Sequence, residues 1–172
     1  MSIIKRIDNL GRLVLPKSIR KSLNISNNDE VELMIEGNQM IVKKYNLLEK
    51  NDKYLEDLID SLSTILPEDV TAIITDTNIV LSASNLEYKG LKLTNKYLIL
   101  LNSRKPFNEK IMPTFCPFTN LENIFLKDAY QILIDSNIYG SIAIVSKNYN
   151  YTVSKEVDAI VRFATEIIKK IM

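Results

Sequence analysis

The sequence predicts an α+β protein of two parts: a small β-rich unit, then an antiparallel sheet on which helices pack. Three observations indicate this fold class. Short apolar runs flank turn-forming residues at 37–38, 76–78 and 136–137, which is typical of β-hairpins. Apolar residues recur at three- and four-residue steps near the end of the chain, which predicts a helix. Finally, six basic residues crowd into the first 21 positions.

The chain opens with a predicted strand at residues 3–7, a turn containing Gly11, and a second strand at 12–15. Pro16 is expected at the first position of a short helix running to Leu23, because its missing N–H has no intrahelical partner there. A loop is predicted at residues 27–29.

A hairpin follows this loop. Val31, Leu33 and Ile35 alternate with polar or less apolar residues, which predicts a half-buried strand. Gly37 and Asn38 form the turn, and residues 40–45 return as the partner strand. Residues 1–46 are the first predicted domain.

A domain this small rarely closes its own core without disulfides, metal or oligomerisation. Cys116 is the only cysteine, which excludes an intrachain disulfide and fits a reducing cytoplasm. The absence of histidine from the whole chain disfavours a zinc site. We therefore expect two copies to share one core as a homodimer.

Residues 47–66 are predicted to form a linking helix that Pro67 ends. Leu48, Leu55 and Leu62 fall seven residues apart. This spacing suits a dimeric coiled coil and equally suits a helix that packs on the sheet of the next domain.

Residues 67–172 form the last predicted domain, in which residues 105–126 carry few regular cues. Its predicted elements are strands at 70–75 and 79–84, a helix at 95–104, strands at 130–135 and 139–146, and a helix over 157–171.

Charge is unevenly placed, although the chain as a whole carries a net charge of only +1. The first 21 residues contain six basic residues and one acid, Asp8, a net charge of +5. This local positive field suits a polyanion such as double-stranded DNA. The basic residues are Lys5, Arg6, Arg12, Lys17, Arg20 and Lys21.

Nothing in the sequence indicates an enzyme, a cofactor or a metal site: it has no glycine-rich phosphate loop and no metal-ligand cluster. Cys116 has no imidazole partner to act as a base. Asp8 and Asp29 are interpreted as turn or loop residues that bind local backbone N–H groups. No apolar run approaches bilayer length, so we expect a cytoplasmic, nucleoid-associated protein without a membrane partner.

The first 45 residues closely resemble the AbrB-type swapped-hairpin DNA-binding domain. The resemblance is carried by Arg6-Ile7-Asp8, Leu10-Gly11-Arg12, Leu15-Pro16-Lys17, Ile19-Arg20, Leu23, Asp29 and Lys43-Lys44-Tyr45. It implies that two chains interleave their hairpins into one homodimeric β-barrel. It also implies DNA contacts at Lys5, Arg12, Arg20 and Lys21, with Arg6 nearby; Lys17 completes the predicted interface.

The second half is similar to the stage V sporulation protein T subgroup, whose C-terminal part is a GAF domain. The matching runs are ITDTNIV and YGSIAIVSK. This resemblance implies a GAF-like antiparallel sheet with packed helices, pairing of dimers into tetramers, and sensing of a small molecule. The residues predicted to contact such a ligand, which are otherwise interpreted as core or lid packing, are Tyr97, Phe107, Phe115 and Phe118.

Together these features predict a DNA-binding transcription regulator, of sporulation or growth-phase genes by the resemblance. Two alternatives come from other classes of protein. One is a MazE-like antitoxin that neutralises a toxin and regulates its own operon. The other is a small-molecule-binding module whose basic N-terminus only dimerises.

Overall fold

The computed structural model describes residues 2–23, 25, 27 and 29–172, which form two compact units divided between Tyr45 and Asn46. The predicted loop at 27–29 is described at Asn27 and Asp29, whereas Asn28 lies outside the described residues. Within the described part of the chain, no helix combines the length and apolar character needed to cross a bilayer.

The first unit contains one short helix, α1 (Lys17–Ser22), and one hairpin, β1 (Val31–Glu36) with β2 (Gln39–Lys44). Glu36 pairs with Gln39, so Gly37 and Asn38 form the predicted two-residue turn. Gly37 has φ +59°, a conformation that glycine adopts without strain. Pro16 lies at the N-cap of α1, one residue earlier than predicted.

The predicted strands at residues 3–7 and 12–15 are not strands in the single chain. A strand needs a neighbour for its backbone N–H and C=O groups, and the described part of this protomer offers none to these segments. The only described backbone hydrogen bonds within residues 2–15 close the turn between them: Asp8 N–H to Arg12 O, and Gly11 N–H to Asp8 O.

The apolar side of the first unit is also more exposed than predicted. Leu33 and Ile35 on β1, expected to be half-buried, are 62% and 83% exposed. Of the apolar side chains described in this unit, only Ile25 is buried. A single copy of the unit therefore has almost no hydrophobic core.

The second unit begins with a 3₁₀ turn at Glu49–Asn51 that leads into α2 (Asp52–Ser63). The helix is shorter than the predicted 47–66 segment and ends before Pro67. Leu48, Leu55 and Leu62 are buried in one cluster with sheet residues. In the single chain, then, this apolar stripe packs on the sheet.

The remaining elements of the second unit include all those predicted, but β6 begins five residues earlier than predicted and a short strand, β5, was not predicted. They are β3 (Val70–Thr75), β4 (Val80–Ala83), α3 (Asn95–Asn102), β5 (Phe107–Asn108), β6 (Phe125–Ile134), β7 (Asn137–Ser146) and α4 (Lys155–Ile171). The strands form one antiparallel sheet in the order β4-β3-β7-β6-β5. The predicted α+β class, with an antiparallel sheet and packed helices, is confirmed.

Both faces of this sheet are covered, because alternate residues of a strand point to opposite sides. Ala72 and Ile74 on β3 join the cluster that includes α2 and α4, whereas Ile73 joins the cluster under α3. On β7, Ile142 and Ala143 divide in the same way. The sheet is therefore the middle of three layers.

Candidate nucleic-acid interface

A tight turn at residues 8–12 presents the first candidate DNA contact, Arg12. The Asp8 carboxylate closes this turn: Oδ1 accepts hydrogen bonds from the N–H groups of Leu10 (2.9 Å) and Arg12 (2.8 Å). Gly11 allows the reversal with φ +75°. The structure thus confirms the prediction that Asp8 is a turn residue that binds local backbone N–H groups.

Asp8 also holds the side chain of Arg12, which sequence reasoning missed. Its Oδ2 lies 2.7 Å from Arg12 Nε, although the Arg12 side chain remains 70% exposed. Hydrogen bonds from the Arg12 backbone and side chain lower the pKa of Asp8, so this carboxylate is charged at neutral pH. The four-residue spacing of Asp8 and Arg12 around a glycine turn is a signal in the sequence that could have suggested this contact.

α1 carries the second group of candidate contacts. Lys17 and Lys21 are exposed, whereas Arg20 is half-buried and donates through Nη1 to Asn27 Oδ1 at 2.7 Å. Arg20 and Lys21 lie in the last turn, where positive charge is favoured by the helix dipole. α1 therefore carries two cations, Arg20 and Lys21, near its C-terminal end.

The basic residues keep their charges largely uncompensated. Lys5 and Arg6 are exposed, and of the six candidates Arg12 alone forms an ion pair with a described residue. Two acids of the hairpin region pair with its lysines instead: Glu32 with Lys43 at 3.2 Å, and Asp29 with Lys44 at 2.9 Å. These two acids therefore do not pair with the basic residues of the first 21 positions.

The predicted ligand residues lie in or beside the core under α3. Tyr97, Phe107 and Phe118 are buried, and half-buried Phe115 makes an edge contact with Phe107 at 5.7 Å between ring centroids. Burial raises the pKa of the Tyr97 hydroxyl to about 12, and this hydroxyl lies 2.6 Å from Ser141 Oγ. A ligand would have to displace packed side chains to reach these groups, and their role in binding stays a prediction.

A groove that the sequence did not indicate runs between α2 and α4. It encloses about 230 Å³ and is lined mainly by apolar side chains, among them Tyr54, Leu58, Ile167 and Ile171. These residues come from segments more than 100 positions apart, so only the packing of the two helices reveals the groove.

The N-terminal segment of the chain matches the model of a known protein family. Residues 4–49 match the family model described as antidote-toxin recognition MazE, bacterial antitoxin. The matched segment contains the turn, α1 and the hairpin described above.

Three proteins of Bacillus subtilis strain 168 are similar to this chain. Stage V sporulation protein T is 33% identical over 84 residues, which are 48% of this chain and 47% of that protein. The putative transition state regulator Abh is 36% identical over 45 residues, 26% of this chain and 49% of Abh. The transition state regulatory protein AbrB is 37% identical over 43 residues, 25% of this chain and 45% of AbrB.

The matches cover about half the length of each of these relatives. Within that limit, the predicted resemblance to AbrB-type regulators and to stage V sporulation protein T is confirmed. Two of these relatives, Abh and AbrB, are transition state regulators by name.

Two solved structures are similar to the chain at 14% sequence identity. A GAF domain/HD domain protein from Geobacter sulfurreducens gives a TM-score of 0.49 over 70% of this chain and 90% of that one. The cofactor binding GAF domain of the nutrient sensor CodY from Clostridium difficile gives 0.44 over 91% and 94%. Both scores are below 0.5 and carry no functional conclusion.

Proposed function

We propose that this protein is a DNA-binding transcription regulator that grips the duplex as a homodimer, through Lys5, Arg6, Arg12, Lys17, Arg20 and Lys21. The observation that carries this proposal is the basic segment itself: five of its six cations are exposed, and of the six only Arg12 forms an ion pair with a described residue, whereas Asp29 and Glu32 pair with the lysines of the hairpin. The similarity to AbrB and Abh supports it.

A dimer follows from the lack of a core in the single N-terminal unit. Exposed apolar side chains such as Ile4, Ile7 and Ile35 cost free energy in water, about 25 cal/mol for each Å² left unburied. Residues 3–7 and 12–15, which the sequence predicts to be strands, have no strand neighbour in the described part of the chain. A second copy would supply both the neighbouring strands and the missing core, as in a swapped hairpin.

Dimerisation doubles the number of cations facing one duplex. Each neutralised phosphate releases counterions, so the logarithm of affinity falls with the logarithm of salt concentration, with a slope of about −0.9 per contact. Eight contacts in a dimer therefore give a slope of roughly −7. Such a slope is a direct measurement of how many charges contact the phosphates.

The experiment is a fluorescence-anisotropy titration of labelled duplex DNA with the full chain at several salt concentrations. The Arg12→Ala, Arg20→Ala double variant removes four cations per dimer and should flatten the slope by about 3 to 4. The matched control is Lys147→Ala, Lys155→Ala, which removes the same charge from exposed positions of the second unit. DNA binding with no salt dependence, or equal slopes for both double variants, would contradict the proposal.

An antitoxin is the second candidate, and the description of the matching family model favours it. An antitoxin of this class binds its toxin through a flexible acidic tail, whereas here residues 46–172 form a folded unit. Affinity purification of the full chain from its own host tests this. Recovery of a stoichiometric small ribonuclease would support an antitoxin, and its absence would leave the regulator.

Sensing of a small molecule by the second unit belongs to the same proposal. It would act by changing the affinity of the N-terminal units for DNA, since a ligand shifts an equilibrium only through differential binding to its states. A ligand that binds the full chain yet leaves the DNA affinity unchanged would restrict the second unit to assembly.

A further inference from the structure

We propose that Asp8 is a positioning residue that fixes how Arg12 presents its guanidinium to DNA, and so contributes to sequence discrimination. The inference rests on the proposed DNA binding and names a residue outside the basic set. Its basis is that one carboxylate holds both the backbone and the side chain of Arg12.

The two oxygens of Asp8 divide these tasks. Oδ1 accepts the N–H of Arg12, which fixes the start of the residue, and Oδ2 accepts Nε at 2.7 Å, which fixes the far end of its side chain. The backbone supports the arrangement, since Asp8 N–H donates to Arg12 O at 3.1 Å. Arg12 is thereby ordered before it meets a ligand, so less rotamer entropy is lost when it binds.

Because Asp8 binds Nε of Arg12, it determines which edge of the guanidinium remains available to contact DNA. The terminal nitrogens Nη1 and Nη2 of Arg12 have no hydrogen-bond partner in the described part of the chain, and the side chain is 70% exposed. Together they form a fork of parallel N–H donors, the geometry that reads two acceptors of a guanine edge or of a phosphate. Asp8 therefore directs a two-donor edge outward from the turn.

Asp8 must also weaken binding to DNA of any sequence, because it places a negative charge beside the phosphates. A residue that only stabilised the turn would not need this charge: the Oδ1 contacts with Leu10 and Arg12 can be made by a neutral amide. The ion pair is exposed, and exposed pairs contribute little to stability. The negative charge of Asp8 is therefore explained by its contact with Arg12 Nε, which orients the guanidinium.

The test compares Asp8→Asn with the wild type. The asparagine Oδ1 can still close the turn, but an amide nitrogen in place of Oδ2 cannot accept from Arg12 Nε. A preferred duplex is first selected with the wild-type full chain from a random pool. The affinities of each variant for this duplex and for a scrambled one are then measured at one salt concentration.

We expect Asp8→Asn to lower the ratio of the two affinities by about 10-fold or more, which corresponds to one weakened bidentate contact in each half of the dimer. Affinity for the scrambled duplex should stay equal or rise. In the Arg12→Ala background, the same substitution should leave the ratio unchanged. This dependence on Arg12 separates positioning from a purely structural role.

An unchanged ratio in Asp8→Asn would overturn the inference, and so would an equal loss with and without Arg12. If Asp8→Asn fails to fold by circular dichroism, Asp8→Ser gives the same comparison, because serine also caps such turns through its hydroxyl. Failure of the proposed function is a separate result, in which the wild type binds neither duplex in a salt-dependent manner; the inference then falls with it.

Discussion

The carboxyl groups of Asp128 on β6 and Asp158 on α4 are neighbours, and each shifts the pKa of the other. Asp128 is fully buried, and this burial, together with the neighbouring Asp158, raises its pKa to about 7. Burial also raises the pKa of Asp158, but hydrogen bonds from Tyr130 and Arg162 outweigh this, so that its pKa lies below the ordinary value. The proton shared by the pair therefore belongs to Asp128, whose buried Oδ2 accepts from none of the described donors.

This proton makes the stability of the fold depend on pH. Between the ordinary aspartate pKa and about 7, the folded chain keeps the proton of Asp128 while the unfolded chain releases it. The contribution of this group to the free energy of unfolding is therefore full in acid and is lost as the pH rises toward 7, by up to about 1.4 kcal/mol per pH unit.

Asp128→Asn should remove that dependence, because an amide can donate to Asp158 without a titrating proton. Urea unfolding of both proteins at pH 5, 6, 7 and 8, at one protein concentration, measures it. The wild type should lose stability relative to the variant as the pH rises. Parallel curves would show that the pair does not share a proton.

A second buried contact joins Lys127 on β6 to Glu109, with 2.7 Å between Nζ and Oε2. The Lys127 side chain is fully buried, and Nζ also donates to the Tyr149 backbone oxygen at 2.7 Å. Lys127→Met should destabilise the protein by about 3 to 5 kcal/mol, because it leaves the Glu109 carboxylate buried without its cation.

The double variant Lys127→Met, Glu109→Gln should recover part of this loss, since no uncompensated charge then remains. Urea unfolding of the two single variants and the double variant completes the cycle. Additive losses would show that Lys127 and Glu109 do not interact in the folded protein.

If the N-terminal units form the dimer, substitutions at two similarly exposed residues should have very different effects on the oligomeric state. Ile35 on β1 is 83% exposed and Leu86 in the second unit is 79% exposed. Ile35→Asp should dissociate the dimer if the second copy covers β1, because a charge buried at an interface is costly. Leu86→Asp should leave the mass unchanged.

Multi-angle light scattering over a range of protein concentrations measures the oligomeric state of each variant. Because the proposed DNA interface needs both chains, the Ile35→Asp variant should also lose DNA binding when the dimer dissociates. A wild type that is monomeric and folded throughout its N-terminal unit would contradict this.

Lys5 and Lys21, two of the residues proposed to contact DNA, should limit how well the protein discriminates between base sequences. Lysine offers a point charge, whereas arginine offers a planar fork that contacts two acceptors of a guanine edge. Lys5→Arg, Lys21→Arg should therefore keep the affinity for scrambled DNA and raise that for a preferred duplex. Lys147→Arg, Lys155→Arg is the control, and equal effects of the two pairs would contradict a role in base contact.

Much of the fold was predictable because the responsible interactions are local. The hairpin turns at 37–38 and 76–78 depend on residues beside them: Asp76 Oδ1, for instance, accepts the N–H groups of Asn78 and Ile79 at 2.6 Å. The third turn lies at Asp135 and Ser136, one residue earlier than predicted, because Ile134 pairs with Asn137. The last helix was predictable for the same reason, since its apolar steps, the acids of its first turn and the lysines of its last turn are all read along the chain.

The candidate interface was predictable in its composition but not in its geometry. The basic residues and the turn that carries Arg12 are visible in the sequence, and their contact with DNA stays a prediction. The contact of Asp8 Oδ2 with Arg12 Nε and that of Arg20 with Asn27 depend on side-chain conformations, which spacing alone does not determine.

Local sequence patterns were enough to predict most helices and strands of the second unit, the turns of the hairpins to within about a residue, and the basic segment near the start of the chain. The packing of the folded chain, in contrast, determines that Leu48, Leu55 and Leu62 face the sheet, since a seven-residue repeat suits any apolar partner. It also decided that Asp128 meets Asp158 and Lys127 meets Glu109. The physical reason is that periodicity specifies which side of an element is apolar, whereas the choice of partner depends on how the whole chain closes around its core.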